Sequence, residues 1–312
     1  MLEFPAQLLN LTACPTCLAG ELAFLDQGRE KQLECRTCAA GYPVTDGVAS
    51  LLPHLTGDGG LPGDHKGRQS AFFDEGAGPE YETTRPHGTV AFHRFLISEK
   101  LRRSVAALGS LAGRSALVVC GGSGMEAEFL ARADASVITS DLSRGAAGRA
   151  LERARRYGVP LVSVVADAER LPFKDGAVDL VYVHDGLHHL EEPSTGLAEM
   201  ARVAGWAVSV TEPALAAATA LAVRAGLALE QEEAGNRVAR LTLEEVARGL
   251  EGRGFRVVTA RRYAMFYRHR AGPVARLLSK PPLFPAARAG YLALDAAIAR
   301  LGNKLVVQAV RV

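Results

Sequence analysis

The sequence predicts an α/β protein built around a parallel β-sheet, with a small metal-bound unit in front of it. From residue 116 onward, short continuous apolar segments alternate with helix-like segments. This is typical of strands that are buried on both faces and joined by crossover helices. Four of the five cysteines form two closely spaced pairs near the N-terminus. The chain has 312 residues, 48% hydrophobic and 22% charged, an ordinary globular composition with length for about two domains.

Charge and hydropathy exclude few classes of function. The net charge of +2 argues neither for nor against a nucleic-acid partner. No apolar stretch approaches the roughly 20 residues that span a bilayer. The first residues, Met1 to Pro5, contain no basic leader before a long apolar run, so we expect no secretory signal and a cytoplasmic, reducing location.

The paired cysteines predict a structural zinc site. Cys14 and Cys17 form one C-x2-C pair, and Cys35 and Cys38 form the other after 17 intervening residues. Two such turns supply four thiolates that close a tetrahedron and leave no open position for chemistry. A unit of about 50 residues is too small to be stable on its core alone, so zinc would hold it folded. Two unrelated cysteine pairs or disulfides are the alternative.

The segment around these cysteines resembles known zinc ribbons over about residues 10–55. Gly41-Tyr42-Pro43-Val44-Thr45-Asp46-Gly47-Val48 follows the second pair. The pattern is similar to small zinc-ribbon proteins that partner and activate tRNA and translation-factor methyltransferases. It is also similar to ribbons fused in front of some bacterial ribosomal-RNA guanine methyltransferases. We therefore predict a ribbon domain at 1–55, a linker and N-terminal helices at 56–109, and a main domain at 110–312.

The elements follow in order along the chain. Residues 56–70 are rich in Gly and Pro and predict a linker, and the apolar spacing from His87 to Leu108 predicts a helix. Five strands are predicted at residues 116–120, 136–139, 161–165, 178–183 and 207–210. Ser143 is placed to cap a helix that reaches about Tyr157. Ala-rich helical sequence then runs to about residue 229, and Thr242 to Glu245 predict a capping box.

A glycine-rich turn, Gly121-Gly122-Ser123-Gly124, joins the first of these strands to a helix. Without Cβ atoms, such a turn lets a ligand approach the backbone amides at the N-terminus of the helix. A tight structural turn is the alternative. Asp141 ends the second strand, where its carboxylate can accept both ribose hydroxyls of a nucleotide-like cofactor. That arrangement suits NAD and S-adenosylmethionine equally.

Three further motifs separate the cofactors. They are Asp167-Ala168-Glu169-Arg170-Leu171-Pro172-Phe173, Val178-Asp179-Leu180-Val181 and Leu187-His188-His189-Leu190. In this order they resemble the class I S-adenosylmethionine-dependent methyltransferases, in particular the ubiquinone and menaquinone biosynthesis branch, over about residues 110–212. The resemblance implies a Rossmann-like sheet of seven strands. Residues 255–259 and 305–310 would form its closing antiparallel pair.

The resemblance also implies the cofactor-binding residues. These are Cys120, Gly121, Gly122, Ser123, Gly124, Asp141, Leu142, Asp167, Ala168 and His184. Asp141 would bind the ribose, Asp167 and Ala168 would hold the adenine edge, and His184 would lie beside the methionine part. This chain departs from the family at Val118 and Cys120, where an acidic residue and a glycine are usual. Cys120 is interpreted as a small residue tolerated against the ligand, with a nucleophile as the alternative.

His188 and His189 are the candidate catalytic residues. Methyl transfer from a sulfonium is an in-line displacement, so the enzyme mainly orients the nucleophile and removes its proton. The two histidines follow the fourth strand, where ligands bind in such sheets. Because adjacent residues point in different directions, we expect at most one of them to face the acceptor. Its role is either orienting or general base.

A basic segment separates the last two predicted strands. Residues 261–304 hold nine Lys or Arg and one acid, Asp295, which predicts a helical basic insert at about 263–304. A solvated face, a site for an anionic substrate and a nucleic-acid surface are the three interpretations.

The leading functional prediction is methyl transfer to a small or medium-sized acceptor, with an anionic acceptor favoured by the insert. An RNA methyltransferase acting on rRNA or tRNA is the nearest alternative. Against it, no N-P-P-Y-like run follows the fourth strand. A non-catalytic cofactor-binding or scaffolding protein is the alternative of another class, because the glycine turn is altered.

Overall fold

Eleven strands form one sheet in the computed structural model, which describes residues 6–26, 28, 31–53, 63–76, 78–215, 241–265 and 269–312. The first strands are β1 Leu22–Asp26, β2 Lys31–Cys35, β3 Gly41–Thr45 and β4 Val48–Leu51. The next are β5 Ser115–Val119, β6 Ser136–Asp141, β7 Leu161–Ala166, β8 Val178–His184 and β9 Ala204–Pro213. The last two are β10 Phe255–Tyr263 and β11 Lys304–Arg311.

The described helices lie between and before these strands. They are α1 Ala6–Leu11, α2 Gly63–Glu75, α3 Pro79–Thr84, α4 Ala91–Val105 and α5 Met125–Ala131. Those that follow are α6 Arg144–Tyr157, α7 Pro193–Val203, α8 Leu243–Glu251, α9 Pro273–Leu278 and α10 Phe284–Ile298. Among the described residues, no helix combines the length and the apolar character that crossing a bilayer requires.

The predicted seven-stranded sheet is confirmed, and the sheet as a whole is larger. Seven strands run in the order β7-β6-β5-β8-β9-β11-β10, with β11 antiparallel to both of its neighbours. Strands β5 to β9 are parallel and their apolar side chains are almost all buried. This is why their sequence is continuously apolar rather than alternating. The sheet therefore presents the carboxyl ends of five adjacent strands along one edge.

The four remaining strands belong to the N-terminal ribbon and extend the sheet beyond β7. Strand β4 runs parallel to β7, with Ala49 opposite Val164 and Leu51 opposite Ala166. The ribbon thus covers an edge whose backbone groups would otherwise be unpaired. Arg170 adds a second connection, because its guanidinium donates to the carbonyl oxygens of Pro15 and Thr16 at 2.8 and 2.9 Å.

Two predictions for the segment between ribbon and sheet need correction. The linker was expected to extend to residue 70, but α2 begins at Gly63; residues 54–62 lie outside the described part. The helix expected from His87 to Leu108 is the shorter α4. Helix α2 is stabilised by tertiary contacts rather than by its own sequence. Asp74 accepts hydrogen bonds from Ser143 Oγ (2.6 Å) and the Gly145 amide (2.7 Å), contacts that no local pattern predicts.

The insert between β10 and β11 contains α9 and α10. Its inner side chains, among them Phe284 and Tyr291, pack against a cluster that includes Phe92 and Leu96 of α4. Asp295 anchors α10 because Arg103 Nη1 lies 2.5 Å from its Oδ2. The basic or aromatic residues at 266–268 and the Ala-rich segment at 216–229 lie outside the described residues. The capping box at Thr242 is confirmed.

Candidate active site at the carboxyl edge of the sheet

A cavity of about 1080 Å³ opens at the carboxyl ends of β5 to β8, beneath α2. It brings together nine of the ten predicted cofactor-binding residues and one of the two candidate catalytic histidines. These are Cys120, Gly121, Gly122, Ser123, Asp141, Leu142, Asp167, Ala168, His184 and His189. Gly124 and His188 do not line it.

The glycine turn shapes one wall of the cavity. Gly122 has a φ of +51°, and a Cβ built there meets no atom within 4 Å, so this position faces open space. A Cβ on Gly121 would lie 2.0 Å from Thr139 Oγ1, and one on Gly124 would lie 2.9 Å from Ala150 Cβ. The turn therefore has room for a ligand at Gly122, while Gly124 permits the close packing of α5 on α6.

Asp141 lies beside this turn and orients it. Its two carboxylate oxygens accept hydrogen bonds from the amides of Gly122 and Ser143, at 2.8 and 2.9 Å. Burial raises the pKa of Asp141 above its ordinary value, although these amide donors and Arg149 oppose the shift. A carboxylate has more acceptor capacity than two donors use. Asp141 thus fits the predicted role of accepting ribose hydroxyls.

Asp167 is paired with a lysine that sequence reasoning missed. Lys66 of α2 places its ammonium 2.6 Å from Asp167 Oδ2 and 2.7 Å from Glu169 Oε2. Burial alone would lower the pKa of Lys66, but these carboxylates raise it above its usual value. The Lys66 ammonium thus occupies the carboxylate of Asp167 that is predicted to accept a hydrogen bond from the adenine amine. Because Lys66 lies in the segment interpreted as a linker, no sequence signal placed it here.

At the end of β8, His184 presents a buried nitrogen to the cavity. Its Nδ1 lies 3.0 Å from Tyr182 Oη, while its Nε2 is buried and makes no hydrogen bond to any described residue. Burial, and then the charge of Lys100, lower the pKa of His184 well below its usual range, so the ring is neutral at neutral pH. A buried nitrogen without a hydrogen-bond partner lowers the stability of the folded protein. It is the feature that best fits a bound polar group such as the methionine part of the cofactor.

Two lysines flank the next residue, Asp185. Its Oδ1 lies 2.5 Å from Lys304 Nζ, and its Oδ2 lies 3.6 Å from Lys100 Nζ. Burial alone would raise the pKa of Asp185, yet these ammonium groups hold it well below its usual range. Glu126 Oε1 also lies 3.9 Å from Lys100 Nζ, so two cations and two carboxylates share this end of the cavity. Proximity to His184 was the one sequence signal that could have identified Asp185.

The rings of the two candidate catalytic histidines lie against each other, with their centroids 4.2 Å apart, but His189 lines the cavity and His188 does not. His188 is 2% exposed and its Nδ1 lies 2.7 Å from Glu212 Oε2. The other oxygen of Glu212 accepts the amides of Gly186 and Leu187 at 2.8 and 2.7 Å. His188 therefore supports the turn after β8.

His189 is the histidine that faces the cavity, and α2 holds it in place. Its backbone carbonyl lies 2.7 Å from His65 Nε2, and its ring Nδ1 lies 3.2 Å from Gln69 Oε1. The ring also meets Phe73 edge to face. Sequence reasoning missed all three α2 residues, because His65 and Gln69 lie in the segment interpreted as a linker and no helix is predicted around Phe73.

Cys120 and Val118 mark where this site departs from the family pattern. Cys120 has a φ of +52° in the region that favours glycine, which explains the glycine usual at this position. Burial raises the pKa of its thiol well above the ordinary value, so a thiolate nucleophile is disfavoured. Val118 is 1% exposed and buried in the core, and it supplies no carboxylate to the cavity.

The four ribbon cysteines lie together in the N-terminal ribbon. Their Sγ atoms are all within 4.8 Å of one another. Cys14 Sγ and Cys38 Sγ are 3.7 Å apart, as are Cys17 Sγ and Cys35 Sγ. A tetrahedron with Zn–S bonds of about 2.3 Å has edges of about 3.8 Å, so the thiols fit zinc. Gly20 is required here, because a Cβ on it would lie 2.1 Å from Cys35 Sγ.

Comparison with known proteins supports the family resemblance. Residues 117–205 match the model of a methyltransferase domain family. A demethylmenaquinone methyltransferase from Renibacterium salmoninarum is 33% identical over 135 residues, which are 43% of this chain and 53% of that protein. One from Clavibacter sepedonicus is 34% identical over 140 residues, 44% of this chain and 54% of that protein. The chain therefore spans about half the length of the curated relatives it matches.

A solved structure supports the fold. Magnesium protoporphyrin IX methyltransferase from Synechocystis PCC 6803, with bound S-adenosylhomocysteine, has a TM-score of 0.54 and 19% identity. The match covers 80% of this chain and all of that one. At this identity the likeness shows the fold alone. Together with the strand order, it shows that the sheet has the class I S-adenosylmethionine-dependent methyltransferase fold, and residues 117–205 are the part that matches the methyltransferase domain model.

Proposed function

We propose that this protein transfers the methyl group of S-adenosylmethionine to a small or medium-sized acceptor that carries an anionic group. The observation that carries the proposal is that one cavity, of about 1080 Å³, contains both groups of residues described above. One end holds the glycine turn, Asp141 and Asp167. The same cavity is lined by His189 and by the two lysines that flank Asp185. A cofactor and an acceptor with an anionic group could thus share one space.

Each group of residues has a distinct task in this proposal. Asp141 would hold the ribose, and Asp167 would hold the adenine edge once Lys66 yields its place. When bound, S-adenosylmethionine supplies a methyl group on a positively charged sulfur. His189 would orient the acceptor and, as a general base, take its proton at a ring nitrogen. Helix α2 lines one side of the cavity, and displacement of water on binding would strengthen the electrostatic interactions inside.

Two buried lysines support an acceptor with an anionic group, which could replace one of their carboxylate partners. Lys100 and Lys304 are both largely buried, where a cation attracts an anion more strongly than at the surface. The names of the relatives indicate quinone-type acceptors for those proteins, and Phe72 and Phe73 offer aromatic faces in the same cavity here. An aromatic acceptor with an ionisable group meets both conditions.

The direct test is transfer of a labelled methyl group to fractions of a cell extract. Calorimetry should first show binding of S-adenosylmethionine and of S-adenosylhomocysteine, and no binding of NAD. Label should then enter the small-molecule or lipid fraction. Label in the RNA fraction would support the alternative, an RNA methyltransferase, which the ribbon resemblance favours. Absence of cofactor binding would contradict both and favour a scaffolding protein.

We also propose that Cys14, Cys17, Cys35 and Cys38 hold one structural zinc ion. The sulfur separations and the buried position of Cys14 and Cys35 support this. Four thiolates leave zinc no open position, so the ion would stabilise the ribbon rather than take part in methyl transfer.

A further inference from the structure

The outer face of the α9–α10 insert is apolar although it is exposed. The inner face packs on the protein through Ala275 and Leu278 of α9 and through Phe284, Ala287 and Tyr291 of α10. The side chains pointing away are also apolar. The exposed large ones in and beside the two helices are Val274 (70%), Leu277 (50%), Leu283 (40%), Leu292 (36%), Leu294 (58%) and Leu301 (66%).

The rest of the exposed face of α10 is equally unusual. Its exposed residues are Pro285, Ala286, Arg288, Ala289, Gly290, Leu292, Ala293, Leu294, Ala296 and Ala297. Arg288 is the one charged side chain among them. A water-facing helix normally carries several charged or polar side chains on this face. A contiguous exposed apolar patch on a protein marks an interaction site.

Cations accompany this apolar face. Arg276, Lys280, Arg288 and Arg300 are exposed on or beside the two helices. Residues 269–303 contain one acid, Asp295, and it is buried and paired with Arg103. The outward face of this segment therefore presents positive charge with no exposed carboxylate to offset it.

We infer that the α9–α10 face docks on an anionic lipid bilayer, with its leucines at the boundary between headgroups and acyl chains. Apolar side chains together with Lys and Arg on one helical face are what interfacial binding requires. A second copy of this chain would place like charges against each other in a two-fold interface. The phosphates of an RNA would pair with the arginines, but the leucines would stay exposed to water.

The placement of the face agrees with this inference. The insert leaves the sheet after Tyr263, the last residue of β10, and rejoins it at Lys304, the first residue of β11. Met265, near its start, and Lys304 both line the cavity. A bilayer bound at α9 and α10 would therefore lie beside the cavity. If the proposed methyl transfer is right, this position allows an acceptor dissolved in the membrane to reach the site. The docking itself rests on the helices alone.

Sedimentation of the full-length protein with vesicles tests the inference. The probes are vesicles of phosphatidylcholine alone and vesicles of phosphatidylcholine with one third phosphatidylglycerol. We expect binding to the anionic vesicles that is at least tenfold tighter than to the neutral ones. Arg276→Gln/Lys280→Gln should weaken that binding by about 10- to 30-fold, since each cation near an anionic surface contributes about 5-fold. Leu277→Ser/Leu294→Ser should weaken it at least tenfold.

The matched control is Arg155→Gln/Val312→Ser, which removes an exposed cation and an exposed apolar side chain elsewhere. It should bind vesicles as the wild type does. Circular dichroism melting checks that all variants remain folded, as expected for exposed positions. Failure of the wild type to sediment with anionic vesicles would overturn the inference. So would unchanged binding by the leucine variant, or self-association of the wild type that the leucine variant abolishes.

Discussion

At the scale of single residues, Asp141 connects the glycine turn to the start of α6. Its oxygens accept the amides of Gly122 and Ser143, so it fixes the backbone on both sides of the proposed ribose position. A carboxylate in this position has two tasks, shaping the turn and accepting hydroxyl donors from the cofactor. The two tasks are separable by comparing an isosteric amide with a truncated side chain.

Asp141→Ala should weaken binding of S-adenosylmethionine by roughly 5- to 150-fold, which corresponds to about 1–3 kcal/mol. The reason is that buried hydroxyl and amide donors lose their acceptor. Asp141→Asn keeps one acceptor oxygen and should lose less. Isothermal calorimetry measures both variants. Affinity in the alanine variant equal to that of the wild type would contradict the assignment of the ribose to Asp141.

The paired histidines separate a structural role from a catalytic one. His189→Ala should lower kcat by roughly 10²- to 10⁴-fold, the range of a lost general base, and should leave the melting temperature nearly unchanged. His188→Ala should instead destabilise the protein by about 1–3 kcal/mol, because Glu212 loses a buried partner. Steady-state kinetics and denaturant unfolding measure the two effects. A fall in kcat of less than tenfold for His189→Ala would indicate an orienting role alone.

At the scale of elements, the ribbon is joined to the cofactor segment at more than one point. Strand β4 pairs with β7, and Arg170, three residues after Asp167, holds the carbonyls of Pro15 and Thr16. The knuckle that carries Cys14 and Cys17 is therefore attached to the segment predicted to hold the adenine. A metal that orders the knuckle should also stabilise the neighbouring part of the cofactor site.

Protein purified without chelator should contain one zinc per chain, and a chelator should reduce both ribbon order and cofactor affinity. Gly20→Ala should lower the zinc content, because its Cβ would lie 2.1 Å from Cys35 Sγ. Gly67→Ala is the control, since a Cβ there meets nothing within 4 Å. Metal analysis and calorimetry are the measurements. A zinc-free wild-type protein that binds cofactor normally would refute the prediction.

At the scale of the whole molecule, the basic insert makes the distribution of charged residues uneven. The net charge of the chain is +2, while residues 261–304 hold nine cations and one acid. The excess is therefore concentrated on one side, beside the cavity. Arg270 illustrates the local packing, since its guanidinium lies over the ring of Tyr81 at 4.7 Å.

Salt dependence distinguishes a compact anionic acceptor from RNA. Between roughly 50 and 200 mM salt, RNA binding would fall with a log–log slope near −0.7 per phosphate contact. Binding of a small anionic acceptor should instead change little, because its charge meets largely buried lysines that salt screens weakly. Arg270→Ala should leave acceptor affinity nearly unchanged, because Arg270 packs on Tyr81 and does not line the cavity. A steep slope for RNA in the wild type that Arg270→Ala makes shallower would favour the RNA alternative.

The sequence alone predicted the features whose residue types are restricted by their immediate surroundings. The zinc spacing, the five apolar strands, the glycine turn and Asp141 each carry their own signal, because a buried parallel strand or a metal knuckle leaves few residue types possible. The predicted seven-stranded sheet is accordingly confirmed, and nine of the cofactor candidates line one cavity. The domain boundaries at 55 and 109, and the roles of the site residues, stay predictions.

Tertiary structure alone decided which residues complete the cavity. Lys66, Gln69 and Phe73 come from α2, a helix with a weak pattern that is held in place by contacts with α6 about 70 residues away in sequence. Lys100 and Lys304 meet at Asp185 although they are 204 positions apart in the chain. The pairing of β4 with β7 likewise joins the ribbon to the sheet. Such contacts depend on how distant surfaces pack, and no periodicity or spacing within one segment encodes that.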